Sequence, residues 1–181
     1  MKSVKSFIVL AMGLASLTAC SPTLTPFTQQ LQNQYGWTDA ELKRIQFYAS
    51  RDIILRREAV GGSSEIISGE IKVIDGRQVD QVIVRKGTPG VLLFQPKEKR
   101  FAIGFEANSD QKFLVFGPSP RAGDRYVLLA SEWQRRGGEV TYDGRKYSVT
   151  SEAAYAALMV DLKKIRKIDV KNQKASGRRV N

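Results

Sequence analysis

Apolar and polar positions alternate in short runs over most of this chain, and Gly, Pro, Asp and Asn separate the runs. From about Ile45 the segments QFYASRDIILRR, SEIISGEIKVI, QVDQVIVRK, GVLLFQ, RFAIGFEA, KFLVFG, RYVLLASEW, EVTY and RKYSVT are rich in Val, Ile, Phe and Tyr. These residue types fit a pleated, half-buried surface. Asp75-Gly76 and Asp143-Gly144 mark two of the breaks. The second is a two-residue turn that sets Val140 opposite Tyr147 and leaves Tyr142 and Val149 on the same face. Short strands at these intervals, with no long helical pattern between them, predict a mainly β fold. The expected form is an antiparallel β-sandwich or a small or half barrel of about eight to ten strands.

Two short helices are expected ahead of the sheet. Thr25-Pro26 has the form of an N-cap followed by Pro at the first helical position, so PFTQQLQNQY would be one helix. Phe27, Leu31 and Tyr35 would share a face, and Gly36 would supply the left-handed cap. Thr38 and Glu41 have capping-box spacing, and Trp37 and Leu42 stand where a hydrophobic staple would pack. The segment SEAAYAALMVDLKKIRKI fits two patterns. Ala154, Leu158, Leu162 and Ile165 form a helical stripe that Ser151 would cap, and the alanine content favours it. Leu158, Val160 and Leu162 alternate as a strand, and the preceding hairpin favours a final strand from about Tyr155.

The first residues follow a different logic. Lys2 and Lys5 precede an uncharged run from Phe7 to Leu17, too short for the roughly 20 residues that cross a bilayer. Leu17-Thr18-Ala19-Cys20 resembles the lipobox of bacterial lipoproteins. The resemblance implies cleavage before Cys20 and covalent lipid on its thiol, and two or more acyl chains would anchor the protein stably. In that class Asp after the cysteine often signals inner-membrane retention. Ser21 stands there instead, which implies an outer-membrane location with the domain facing the periplasm. The expected organisation is a leader at 1–19, a tether at 20–25, two helices within 26–44, a β-rich domain at 45–168 and a basic tail at 169–181.

Composition narrows the chemistry. The chain has no histidine and one cysteine, which removes the commonest general base, Ser-His and Cys-His nucleophile pairs, most zinc sites and any intrachain disulfide. Loss of Lys2 and Lys5 with the leader takes the net charge from +11 to +9. Eight cations lie in the last 21 residues: Lys163, Lys164, Arg166, Lys167, Lys171, Lys174, Arg178 and Arg179. They are the candidate contact for an anionic partner, either anionic lipid, lipopolysaccharide or the acidic face of an envelope protein. Behind a secretory leader, nucleic acid is not an expected partner.

No Walker loop, dinucleotide fingerprint or calcium-loop spacing occurs. Glu132 beside Trp133 is the one carboxylate to weigh for glycan hydrolysis, which needs two converging acids, but the expectation is a protein without catalysis, metal or cofactor beyond the lipid on Cys20. The function expected is binding or assembly, as an accessory subunit of an outer-membrane complex. The alternative is a carrier holding a lipid or other small apolar ligand in a barrel-like cavity.

Overall fold

The computed structural model describes residues 23–58, 70–74, 77–107, 109–134 and 137–165. Cys20, Asp75-Gly76 and the tail from Arg166 onward lie outside the described residues.

Among the described residues the fold is two antiparallel sheets with two short helices near the N-terminus. The seven-stranded sheet runs β1 (Leu24–Pro26), β13 (Leu158–Asp161), β2 (Phe47–Ala49), β6 (Pro89–Lys97), β7 (Arg100–Gly104), β8 (Phe113–Ser119) and β9 (Arg125–Leu128). The six-stranded sheet runs β10 (Ser131–Gln134), β11 (Gly137–Tyr142), β12 (Arg145–Thr150), β3 (Ile53–Glu58), β5 (Arg77–Val84) and β4 (Glu70–Ile74). The larger sheet curls until its ends meet. Tyr126 N–H donates to Phe27 O at 3.0 Å, and Leu128 N–H donates to Ala156 O at 2.9 Å. Isolated bridges rather than a ladder join these ends, so the layer is strongly curved without closing into a barrel.

One apolar cluster fills the interior and draws on both sheets, from Phe47, Phe101, Phe116 and Leu128 on one to Ile53, Leu55, Val140 and Val149 on the other. Phe27 sits at its centre, with the rings of Trp37, Phe47, Phe101 and Tyr126 between 5.0 and 5.9 Å away. Tyr35 stacks on the outer side of Trp37 at 4.7 Å. Trp37 Nε1 is buried without a hydrogen-bond partner, a cost of about 1–3 kcal/mol that the stacked ring must offset.

The helices are α1 (Gln29–Tyr35) and α2 (Asp39–Leu42). The expectation that Thr25-Pro26 opens α1 is corrected here. Leu24–Pro26 is a strand paired with β13, and Thr28 is the cap, its Oγ1 accepting from Leu31 N–H at 3.1 Å. Two forces favour this. Proline is tolerated on an end strand, and the extended backbone drives Phe27 into the aromatic core. Gly36 closes α1 in the left-handed region, φ 58°. Thr38 and Glu41 form the reciprocal capping box, and Trp37 and Leu42 are both buried beside it.

Two of the strand-like segments split between the sheets. QFYASRDIILRR leaves the larger sheet after Ala49 and enters the smaller at Ile53. At this corner Ser50 Oγ accepts from Ala157 N–H at 2.8 Å and Asp52 Oδ1 accepts from Lys86 N–H at 2.7 Å. These side chains satisfy backbone donors where the ladder stops. RYVLLASEW turns likewise between β9 and β10, at Leu129-Ala130. The Asp143-Gly144 hairpin has φ of 52° and 68° at its two central residues, the pattern of a type I′ turn, with Val140 opposite Tyr147. The ambiguous segment is divided. Ser151–Tyr155 is a 3-10 turn that buries Ala153, β13 follows at Leu158–Asp161, and residues 162–165 make a helical turn that returns Ile165 to the core.

Candidate functional site

Two half-buried acids, Glu106 and Asp80, gather side-chain hydrogen bonds and ion pairs. Tyr142 OH donates to Glu106 Oε1 at 2.6 Å, and Lys112 Nζ lies 2.7 Å from Glu106 Oε2. This group ties the β7–β8 connection to β11 across the two sheets. Within the smaller sheet, Tyr147 OH donates to Asp80 Oδ2 at 3.0 Å, and Arg57 lies 3.3 Å from the same oxygen. Each carboxylate thus meets a cation and a phenol. That arrangement ties the elements together through charge-assisted hydrogen bonds.

Burial pushes the phenol of Tyr142 well above its ordinary 10, and its hydrogen bond to Glu106 adds to the effect. Tyr147 moves up through burial and then Asp80, and Tyr126 through burial alone. The stability they confer is complete below pH 10. It falls as pH rises further, because the unfolded chain loses protons that the folded chain keeps. Urea denaturation at pH 9 and pH 11 should show this loss, up to about 1.4 kcal/mol per pH unit for each shifted tyrosine. Tyr126→Phe should reduce the pH dependence, and an unchanged profile would contradict the buried assignment.

The outer face of β6, β7 and β8 is different in character. Along β7, Phe101 and Ile103 point into the core, whereas Ala102 and Gly104 alternate to the other face. Their small size lets larger neighbours lie across the sheet. A Cβ on Gly104 would stand 3.1 Å from Leu93 Cδ1, and one on Gly117 would stand 2.8 Å from Leu129 Cδ1. Phe94 follows a bulge in the β6–β7 pairing and meets Phe113 edge-on at 5.0 Å. Val91 opposite Gly104 is 44% exposed and Phe94 is 41% exposed, so an apolar strip reaches solvent here.

One end of this sheet is basic. The β6–β7 turn and the β8–β9 connection lie side by side because the strands are antiparallel. The helices are fixed at the same end, Gln95 Nε2 donating to Asp39 Oδ1 at 2.6 Å and Gln29 N–H to Asp124 O at 2.9 Å. Lys43, Arg44, Lys97, Lys99, Arg100, Arg121 and Arg125 are all exposed there. Among them Lys99 lies 3.6 Å from Glu98, both in solvent. Between α1 and the β8–β9 connection is an open cleft of about 710 Å³, and a second, of about 380 Å³, lies on the outer face of the smaller sheet by Arg56 and Ser148.

The residues singled out from sequence do not converge. Lys163 and Lys164 are exposed on the helical turn after β13. Arg166, Lys167, Lys171, Lys174, Arg178 and Arg179 lie outside the described residues, as does Cys20. Glu132 belongs to β10, its side chain is outside the described residues, and the neighbouring Trp133 is 37% exposed. Ser109 and Lys112 have a Ser-x-x-Lys spacing. On a helix that would place both on one face, but the described residues between β7 and β8 are not helical. The basic end itself was hidden in the sequence because three separated segments build it. Small residues alternating with Phe101 and Ile103 were the available signal for the apolar strip.

Among the described residues, no group of three or more Cys, Asp or Glu is placed to hold a metal ion, and no helix is long and apolar enough to cross a membrane. No protein-family model matches the chain, and no curated protein or solved structure matches it significantly.

Proposed function

We propose that this chain is a lipoprotein of the bacterial outer membrane, anchored through lipid on Cys20, whose β-sandwich has a non-catalytic binding role as an accessory subunit of an envelope complex. The observation that carries the binding role is the apolar strip of Val91, Phe94 and Phe113 on the outside of a well-filled sheet. Exposed aromatics that stand on a rigid scaffold are the residues that anchor protein interfaces. Lys97 and Arg100 pair with each other beyond Phe94 and Ala102 on the same two strands, at one end of the strip, and both are exposed, so the partner that fits is an envelope protein with an apolar surface rimmed by acids. The carrier alternative has less in its favour, because Phe27, Phe47, Phe101, Phe116 and Tyr126 occupy the space that a ligand would need.

A photo-crosslinking residue at position 94 in intact cells tests the partner. The expected product joins this chain to another envelope protein, and Phe94→Ser should reduce co-purification of that protein at least tenfold while lowering stability by less than about 1 kcal/mol. Recovery of lipid alone would sink the subunit reading. For the anchor, Cys20→Ala should abolish acyl labelling and release the protein from the membrane fraction. Continued membrane association with no acyl label would rule out the lipid attachment.

A further inference from the structure

We propose that the cleft between α1 and the β8–β9 connection binds a phosphate carried on a hydroxyl-rich group, that is, a phosphorylated glycan. The cleft measures about 710 Å³, within the range of roughly 300–1,000 Å³ that small ligands occupy. Arg121 and Arg125 line one side, and neither forms a salt bridge among the described residues. Arg125 Nε donates to Ala122 O at 2.6 Å. That bond fixes the guanidinium plane and leaves its terminal nitrogens for a second acceptor. A planar fork held in this way matches two oxygens of a phosphate, whereas an ammonium offers only a point charge.

The opposite wall explains the rest of the ligand. Thr25, Gln30 and Gln34 present uncharged donors and acceptors, and Leu31 contributes an apolar surface beside them. Neutral amides and a hydroxyl suit sugar hydroxyls, and an aliphatic side chain suits the C–H face of a sugar ring. A bare anion site would need none of these. Among the described residues no acidic side chain lines the cleft, so a dianion seated in it meets two cations and no lining carboxylate. The site is separate from the strip at Phe94, and it would stand if that strip proved to have no partner.

The test is a titration of the full chain in non-ionic detergent, followed by amide NMR shifts of Gly123, Arg125 and Gln30. Glucose 1-phosphate should shift these resonances saturably and bind at least tenfold more tightly than glucose, inorganic phosphate or glycerol 3-phosphate. Equal binding of inorganic phosphate would reduce the site to an adventitious anion contact. Equal binding of glycerol 3-phosphate would assign it to lipid head groups. Either result overturns the glycan assignment. Arg121→Ala should weaken glucose 1-phosphate at least tenfold, and Arg125→Lys, which keeps the charge but loses the fork, should weaken it several-fold. Lys163→Ala/Lys164→Ala removes two charges elsewhere and should leave affinity within twofold. If that control costs as much as Arg121→Ala, the attraction is diffuse and the proposal fails.

Discussion

Phe27→Ala should lower the free energy of unfolding by about 4 kcal/mol. Phe27 is fully buried, and four aromatic rings surround it with centroids between 5.0 and 5.9 Å away. Truncation removes the transfer energy of the ring, leaves a cavity that flat neighbours cannot collapse into, and deletes several aromatic contacts worth about 0.5–1.5 kcal/mol each. The position matters as much as the size. Phe27 N–H donates to Leu158 O at 2.8 Å and Phe27 O accepts from Tyr126 N–H at 3.0 Å, so this residue stitches together the two ends of the curled sheet. A domain of ordinary stability has only 5–15 kcal/mol in total. Urea denaturation should therefore show a large fall in midpoint with an unchanged slope. If Phe27→Ala costs no more than Phe94→Ser, Phe27 is not the centre of the core.

The features legible in the sequence are those whose cause is local. Thr38 and Glu41 make their capping box within four residues, and Asp143-Gly144 makes its turn within two, so neither depends on the rest of the chain. Where a local signal competed with burial, burial won. Thr25-Pro26 satisfies the rule for a helix start, yet the need to bury Phe27 against β9 and β13 draws Leu24–Pro26 into a strand and moves the cap to Thr28. Sheet identity is not a local property either. Nothing in QFYASRDIILRR says that Phe47 belongs to one sheet and Ile53 to the other, because no Gly or Pro marks the corner. The candidate surfaces were least legible. Arg121 and Arg125 come to face α1 only through the topology, whereas most of the conspicuous basic run after Asp161 lies outside the described residues.

Gly137→Ala should cost about 3 kcal/mol or more, and it tests the register of the smaller sheet directly. A Cβ built on Gly137 would stand 2.1 Å from Val149 O and 3.2 Å from Val149 C. Both are backbone atoms, so no rotamer change relieves the clash and β11 or β12 must move. Movement spreads because Gly137 pairs with Thr150, while Val149 pairs on its other side with Leu55, and Val149 and Leu55 are both core residues. Gly138→Ala is the matched control. Its Cβ would meet Trp133 Cε3 at 2.7 Å and Ala130 Cβ at 2.9 Å; the 37% exposed indole can yield, and Ala130 must give by a few tenths of an ångström with its backbone, rather than two ladder strands parting. That variant should cost about 1 kcal/mol. Urea denaturation gives the two energies, and amide exchange at Tyr147 and Val149 should quicken in Gly137→Ala far more than in Gly138→Ala. Equal costs would mean that β11 does not approach β12 in the register that places Val140 opposite Tyr147.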